Sequence, residues 1–386
     1  MPQLLPTGRV GAYLHVPFCL RRCPYCDFTV AVLRRIPEER FADRLCEELA
    51  ERRGELADRT LQTVYLGGGT PSLLSPPTLG RVIRGVIAQA RVVAADLEVT
   101  VEVNPESVTE GWAERLAAEG VTRVSLGAQS LNDAVLKRLG RQHSGADVRS
   151  AVKRLAGAGI RHISVDLIYG APGASPEGFL EELRTVARWT EVDHLSAYEL
   201  TFEPRTSFTV ARDRGRLTAW DDEDLAACFD ACESMLESEG FRRYEVSNFA
   251  RSGGASRHNS AYWSGDDYVG LGPGAHSLRV DGGRGMAVRR ANGRSTRRYL
   301  DGGVFDHEVE TLDAGTHLRE LLMLACRRVA PLDLGSLRER SDLVESVLQP
   351  HLDRWVERGL CRVVGEQAYF TSEARRLADS LAAEIF

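Results

Sequence analysis

The chain has 386 residues, 43% hydrophobic and 27% charged, which suits a globular protein with a large core and two or three domains. Its formal net charge of −6 excludes general affinity for nucleic acid or an anionic membrane surface. The opening residues carry no charged-then-apolar signal pattern, and no apolar run nears the roughly 20 residues that span a bilayer. The cytoplasm is therefore the expected compartment, with at most peripheral membrane contact.

Short β-branched runs alternate with helical patterns through the first half of the chain. Strands are expected at residues 9–15, 62–66, 98–103, 123–126, 162–168 and 194–198. Helices are expected at 37–56, 76–90, 109–119, 132–139, 146–158 and 176–189, with Pro37 and Pro176 suiting first-turn positions. Six strand–helix repeats imply a parallel sheet covered by helices, either open and doubly wound or an incomplete barrel. After Glu203 the alternation stops. A charged helix at 221–239 precedes an irregular, Gly-rich stretch at 241–285 and a basic loop at 282–298. Beyond Thr316 helices are expected at 318–326, 334–340 and 344–357, then a hairpin within 359–371 and a last helix. That ending reads as a small winged-helix unit. Residues 331–386 hold 7 Arg against 10 Asp and Glu, so packing or regulation suits it better than DNA binding.

Three cysteines follow the first strand in Cys19-Leu-Arg-Arg-Cys23-Pro-Tyr-Cys26. Thiolates this close can converge on one soft metal centre, and a structural zinc site wants a fourth ligand. An iron–sulfur cube on three cysteines keeps one iron free for another ligand. The remaining five (Cys46, Cys228, Cys232, Cys326 and Cys361) are expected as free, mostly packing thiols. The second strand ends in Gly67-Gly68-Gly69-Thr70-Pro71, where backbone can approach a ligand, and the third in Glu102-Val-Asn104-Pro105.

Together these three motifs resemble the radical S-adenosylmethionine superfamily, whose fold is a partial (β/α)6 barrel. The resemblance implies that Cys19, Cys23 and Cys26 hold a [4Fe–4S] cluster whose open iron binds S-adenosylmethionine. Further motifs, Arg123-Val-Ser-Leu-Gly-Ala-Gln129, Leu139-Gly-Arg141-Gln-His143 and Val165-Asp166-Leu-Ile-Tyr169-Gly170, look like the anaerobic coproporphyrinogen III oxidase family. By that resemblance Tyr13, Tyr25, Gly68, Gly69, Thr70, Glu102, Gln129, Arg141 and Asp166 contact S-adenosylmethionine.

One departure points to a branch. The oxidase has a further Cys two residues after the third cluster ligand, where this chain has Phe28. A short N-terminus and the HNxxYW segment, His258-Asn259-Ser-Ala-Tyr262-Trp263, also resemble the HemW-type haem-chaperone branch. This implies haem contact by His258, Asn259, Tyr262 and Trp263, with imidazole as iron ligand and aromatics beside the macrocycle. Arg284, Arg289, Arg290, Arg294, Arg297 and Arg298 either pair with haem propionates or form a solvated loop. After Glu203 the branch usually reads Pro-Gly-Thr, whereas this chain has Pro204-Arg205-Thr206.

The expected organisation is a radical SAM partial barrel over 1–210 and a middle region with the HNxxYW loop over 211–310. An α+β extension thus leads to a winged-helix-like domain over 311–386. The expected function is binding haem and passing it to an acceptor such as a respiratory haemoprotein, with a homodimer allowed. No catalytic residue is assigned, and coproporphyrinogen III oxidase activity is not expected. The alternative is a radical SAM oxidoreductase acting on a porphyrinogen.

Overall fold

The computed structural model describes residues 8–281, 285–302, 305 and 307–386. Six parallel strands stand side by side in chain order: Arg9–Val16 (β1), Thr60–Gly68 (β2), Val92–Val103 (β3), Arg123–Gln129 (β4), His162–Tyr169 (β5) and His194–Glu199 (β6). Helices Glu38–Glu51, Pro76–Gln89, Trp112–Ala118, Gly145–Gly157 and Pro176–Ala187 fill the crossovers. Nothing pairs β1 with β6 among the described residues, so the ring stays open, a partial barrel as expected.

Alternation along each strand decides what faces where. Val10, Ala12, Leu14 and Val16 on β1, Val99, Val101 and Val103 on β3, and Ile163, Val165 and Leu167 on β5 are buried in the main apolar core. The intervening positions carry Tyr13, Tyr65, Glu102, Ser125, Ser164 and Asp166. Their register is continuous: Tyr13 stands beside Tyr65, Glu102 beside Ser125, Ser125 beside Ser164, and Asp166 beside Ser196. One face of the sheet thus packs apolar residues against helices while the other is polar.

Later segments extend the same sheet. Arg242–Arg243 (β7) and Asn248–Ala250 (β8) add antiparallel beside β6, while Tyr268–Leu271 (β9) lies parallel to β1. His276–Asp281 (β10), Met286–Asn292 (β11) and His307–Leu312 (β12) continue antiparallel from β9, giving twelve strands. The expectations of an irregular 241–285 and a loop at 282–298 are therefore corrected. Register partners supplied by distant segments make strands where local pattern is weak.

The C-terminal residues build a second core around Leu322, Leu348, Trp355 and Leu381. Leu332–Asp333, Cys361–Val364 and Gln367–Phe370 form its three-stranded sheet, including the expected hairpin. The expected helix 344–357 breaks into Val344–Val347 and Gln349–Glu357, because Pro350 suits a helix start and lacks the N–H a helix interior needs. No helix among the described residues is long and apolar enough to cross a membrane.

Candidate cluster and cofactor site

The cysteine loop leaves the C-terminal end of β1 and is tied at its base. Phe18–Cys19 pairs with Ala31–Val32, Ala31 N–H donates to Pro17 O at 2.6 Å, and Leu33 N–H donates to Cys19 O at 3.0 Å. That closure holds Cys19, Cys23 and Cys26 in one excursion, all free and half-buried. Burial pushes the Cys19 thiol up, opposed by Thr70, whose Oγ1 lies 3.6 Å from the sulfur; the neighbouring Cys26 and Cys23 add to the rise. Burial likewise raises Cys26, against a backbone N–H from Phe28. The Arg141 guanidinium reaches Cys23 Sγ at 3.9 Å and is anchored on Asn104 Oδ1 at 2.6 Å and Gly127 O at 2.9 Å.

Among the described residues no three His, Cys, Asp or Glu side chains are gathered at metal-binding spacing. The donor set nevertheless fits a thiolate-held cluster. Cys19 and Cys26 each feel the charge of Cys23, the Arg141 cation stands beside that sulfur, and among the described residues the buried Arg141 Nε has no partner. Metal binding and ordering of such a loop are coupled.

Two carboxylates mark the polar barrel face. Glu102 accepts from Tyr65 O–H at 2.9 Å and from Gly68 N–H at 2.9 Å. Protein packs densely around this half-buried side chain, and that desolvation pushes its carboxyl up to about 7 despite both donors. Asp166 accepts from Ser125 at 2.7 Å, Ser196 at 2.7 Å and Ser164 at 3.0 Å, yet burial still raises it. Tyr13 donates to His15 Nδ1 at 3.0 Å, because His15 Nε2–H is committed to Thr29 O at 2.8 Å. Tyr25 packs on Phe208, and Thr70 meets the cluster loop through Cys19. Gln129 ends β4 with φ 70°, a strained value for a residue with a side chain.

The glycines have a reason inside the fold. A Cβ on Gly68, whose φ is 109°, would stand 2.4 Å from the His15 ring, and one on Gly69 would stand 2.7 Å from Phe18 O. Their presence therefore reflects close packing of the turn on β1, whether or not a ligand approaches it. Tyr65, Asn104, Ser125, Ser164 and Ser196 complete the site without having been singled out. For Asn104 and Ser164, two residues from Glu102 and Asp166, that spacing was the available signal.

The HNxxYW segment packs against Tyr13 and Tyr65, whose rings stand 6.4 and 4.9 Å from the His258 ring. Helix Arg257–Ser264 starts on Glu98, whose carboxylate accepts His258 N–H at 3.1 Å and Arg257 N–H at 3.2 Å, and is paired with Arg123 at 3.1 Å. Ser256 caps it by accepting from Asn259 N–H at 3.3 Å. His258 is 2% exposed. It shares a 2.7 Å hydrogen bond with Thr63, stacks on Tyr65 and meets Tyr262 edge-on. Desolvation pushes it down to about 3, so it is neutral. His258 Nε2 is buried and has no hydrogen-bond partner among the described residues, so the ring keeps one nitrogen unspent inside this enclosure. Asn259, Tyr262 and Trp263 are half-buried around the same floor plug.

The arginine run also resolves residue by residue. Arg289 pairs with Glu310 and Glu320, Arg290 with Glu55, and Arg297 with Asp301. Arg284 lies outside the described residues. Arg294 is exposed and lines a cleft beside the cysteine loop.

An open parallel barrel with three free thiols at one strand exit, and two raised carboxylates on its polar face, defines a scaffold for a soft metal centre and a small polar ligand. Comparison with known proteins agrees. The Radical SAM superfamily model matches residues 13–186. The chain is 37% identical over 372 residues to "Heme chaperone HemW" of Mycobacterium tuberculosis, covering 94% of each. It is 32% identical over 373 residues to the Escherichia coli protein of that name, covering 96% of this chain and 97% of that one. The solved coproporphyrinogen III oxidase (HemN) from Escherichia coli shares the fold, with TM-score 0.81 at 22% identity over 98% of this chain and 90% of that one. The chain belongs to the radical SAM superfamily, in the family of HemW haem chaperones.

Proposed function

We propose that this chain binds haem and hands it to an acceptor protein, on a scaffold carrying a [4Fe–4S] cluster at Cys19, Cys23 and Cys26. The observation that carries the reading is similarity to haem chaperones along nearly the whole chain, not the barrel alone. Such a cluster, when bound, supplies a redox-active centre with an iron open to a chelating ligand.

This chain's own groups suit an S-adenosylmethionine seat. Arg141 offers a cation for a carboxylate, while Glu102 and Asp166 offer acceptors for an ammonium or ribose hydroxyls. Thr70, Gln129, Tyr13, Tyr25 and the Gly68-Gly69 turn line the same end of the barrel. In the proposed division, residues 1–210 hold cluster and cofactor, 211–310 floor and extend the barrel, and 311–386 form a packing or regulatory module. The proposed compartment is the cytoplasm.

The rival reading is oxidative decarboxylation of coproporphyrinogen. Phe28 in place of the oxidase's further cysteine speaks for the chaperone. Anaerobic, cluster-reconstituted protein should show a saturable Soret band on haem titration and lose it to an apo-haemoprotein. With coproporphyrinogen, reductant and S-adenosylmethionine it should form no protoporphyrinogen. Absent haem binding together with robust decarboxylation would reverse the assignment.

A further inference from the structure

Gln129 reaches its left-handed φ of 70° through a bulge. From Leu126 to Gln129, β4 advances three residues while β5 advances two, Val165 to Leu167. The bulge folds the Gln129 amide back over Gly127. A Cβ on Gly127 would stand 3.0 Å from Gln129 Nε2, 3.5 Å from Asn104 Oδ1 and 3.6 Å from Arg141 Nη2. Three polar heads are thus gathered around one glycine. Left-handed backbone is unfavourable for a residue with a Cβ, so the surrounding structure must over-determine it.

Two side chains of one loop do this by parallel bridges. Arg141 joins Asn104 Oδ1 at 2.6 Å to Gly127 O at 2.9 Å. His143, two residues on, joins Glu106 Oε2 at 3.1 Å to Ala128 O at 2.8 Å. Both bridges run from the exit of β3 to the bulge in β4. Beyond Gln129, the Glu182 carboxylate accepts Ser130 O–H at 2.7 Å and Leu131 N–H at 2.6 Å. The His143 side chain is fully buried, and its partners fix its protons. Ala128 O only accepts, so Nε2–H donates there. Burial would raise Glu106, but the His143 ring, its own backbone and Arg141 hold its carboxyl below the usual carboxylate range. A carboxylate also only accepts, so Nδ1–H donates to it. Arg141 faces the cysteine loop at Cys23 and keeps its buried Nε without a partner among the described residues. His143 has neither nitrogen to spare for a ligand, and what it holds is the peptide before Gln129.

We propose that His143 is a positioning residue for the S-adenosylmethionine seat: by pinning Ala128 O to the exit of β3, it aims the Gln129 amide beside Arg141. The inference rests on the S-adenosylmethionine reading of that end of the barrel. It adds which side chain sets the geometry of the seat without touching the ligand.

Two substitutions divide the bridge. In His143→Gln the amide nitrogen stands near the place of Nε2 and can still donate to Ala128 O; in His143→Asn it stands near Nδ1 and reaches only Glu106. Full-length wild type and both variants, cluster-reconstituted, are titrated anaerobically with S-adenosylmethionine by equilibrium dialysis. The electron paramagnetic resonance of the reduced cluster is recorded alongside. Affinity should fall about fivefold in His143→Asn, as for one buried hydrogen bond, and stay within about twofold of wild type in His143→Gln. Iron content, the ligand-free spectrum and the melting temperature should match between the two variants. A Gln129→Gly background, which takes a positive φ without strain, should abolish the difference, because the ring acts through that side chain. Wild-type affinity in His143→Asn, or equal losses in both variants, overturns the inference while leaving the cofactor reading intact. An undiminished difference in the Gln129→Gly background also overturns it, as does a His143→Asn chain that fails to fold or to take up iron. A wild-type chain whose dialysis and cluster spectrum show no S-adenosylmethionine binding overturns the cofactor reading itself.

Discussion

Glu102 couples the cofactor end of the barrel to pH. Its carboxyl stands at about 7 in the folded chain against an ordinary 4.5, chiefly through desolvation. Because the folded value is raised, the penalty is absent well below pH 4.5, grows as the unfolded chain ionises, and is complete above pH 7. A shift of this size corresponds to about 3 kcal/mol at pH 8 and under about 1 kcal/mol at pH 5. A glutamine side chain mimics the neutral acid and carries no such dependence. The Glu102→Gln variant should therefore gain on wild type by about 2.5 kcal/mol between pH 5 and pH 8. For 386 residues the unfolding entropy is about 0.8 kcal/mol per kelvin, so the gap in melting temperature should widen by about 3 °C. Glu245, also raised by burial, remains in both proteins and cancels, while the charge of Asp166 is a smaller contributor to the rise at Glu102 itself. Calorimetry on both proteins at the two pH values reads this directly. A gap that is the same at pH 5 and pH 8 refutes the desolvation argument.

Replacing Cys23 with Ser should abolish the brown chromophore on anaerobic reconstitution while far-ultraviolet dichroism stays native; full iron content in that variant would remove Cys23 as a ligand. Gly68→Ala should destabilise the chain by about 3 kcal/mol or more, since the new methyl meets the His15 ring and φ is positive, read by denaturant titration. His258→Phe should weaken the haem Soret band, because it removes the unpartnered Nε2; an unchanged band in a folded variant would remove His258 as a ligand.

Much of the barrel was legible because each parallel strand alternates, so one face could be read as packing and the other as polar. Glu102 and Asp166 declare themselves as carboxylates among apolar neighbours. Ser125, Ser164 and Ser196 do not, since a strand serine is unremarkable until the register sets it beside Asp166. The HNxxYW helix was legible as a motif but not as a place. Its position depends on Glu98, about 160 residues earlier, accepting its first backbone N–H groups. Met286–Asn292 was read as a loop because its arginines suggest solvent, whereas Glu310, Glu320 and Glu55 meet two of them. Arg205 was visible as a departure from the usual turn, but only the backbone angle, φ 67°, shows that the turn persists around it.

The pairing of β1 with β9 has a consequence for how the molecule is made. Gly11 lies beside Tyr268, so β1 waits for a neighbour synthesised 257 positions later. Until then that strand has an unprotected edge, a template for association with other nascent chains. Closing so long a separation is slow. A fragment ending near residue 210 keeps this liability permanently and also lacks the helix that seats on Glu98. Shortened versions should therefore be recovered as aggregates, and assembly should be most sensitive to lesions in a strand far from the cysteine loop in sequence.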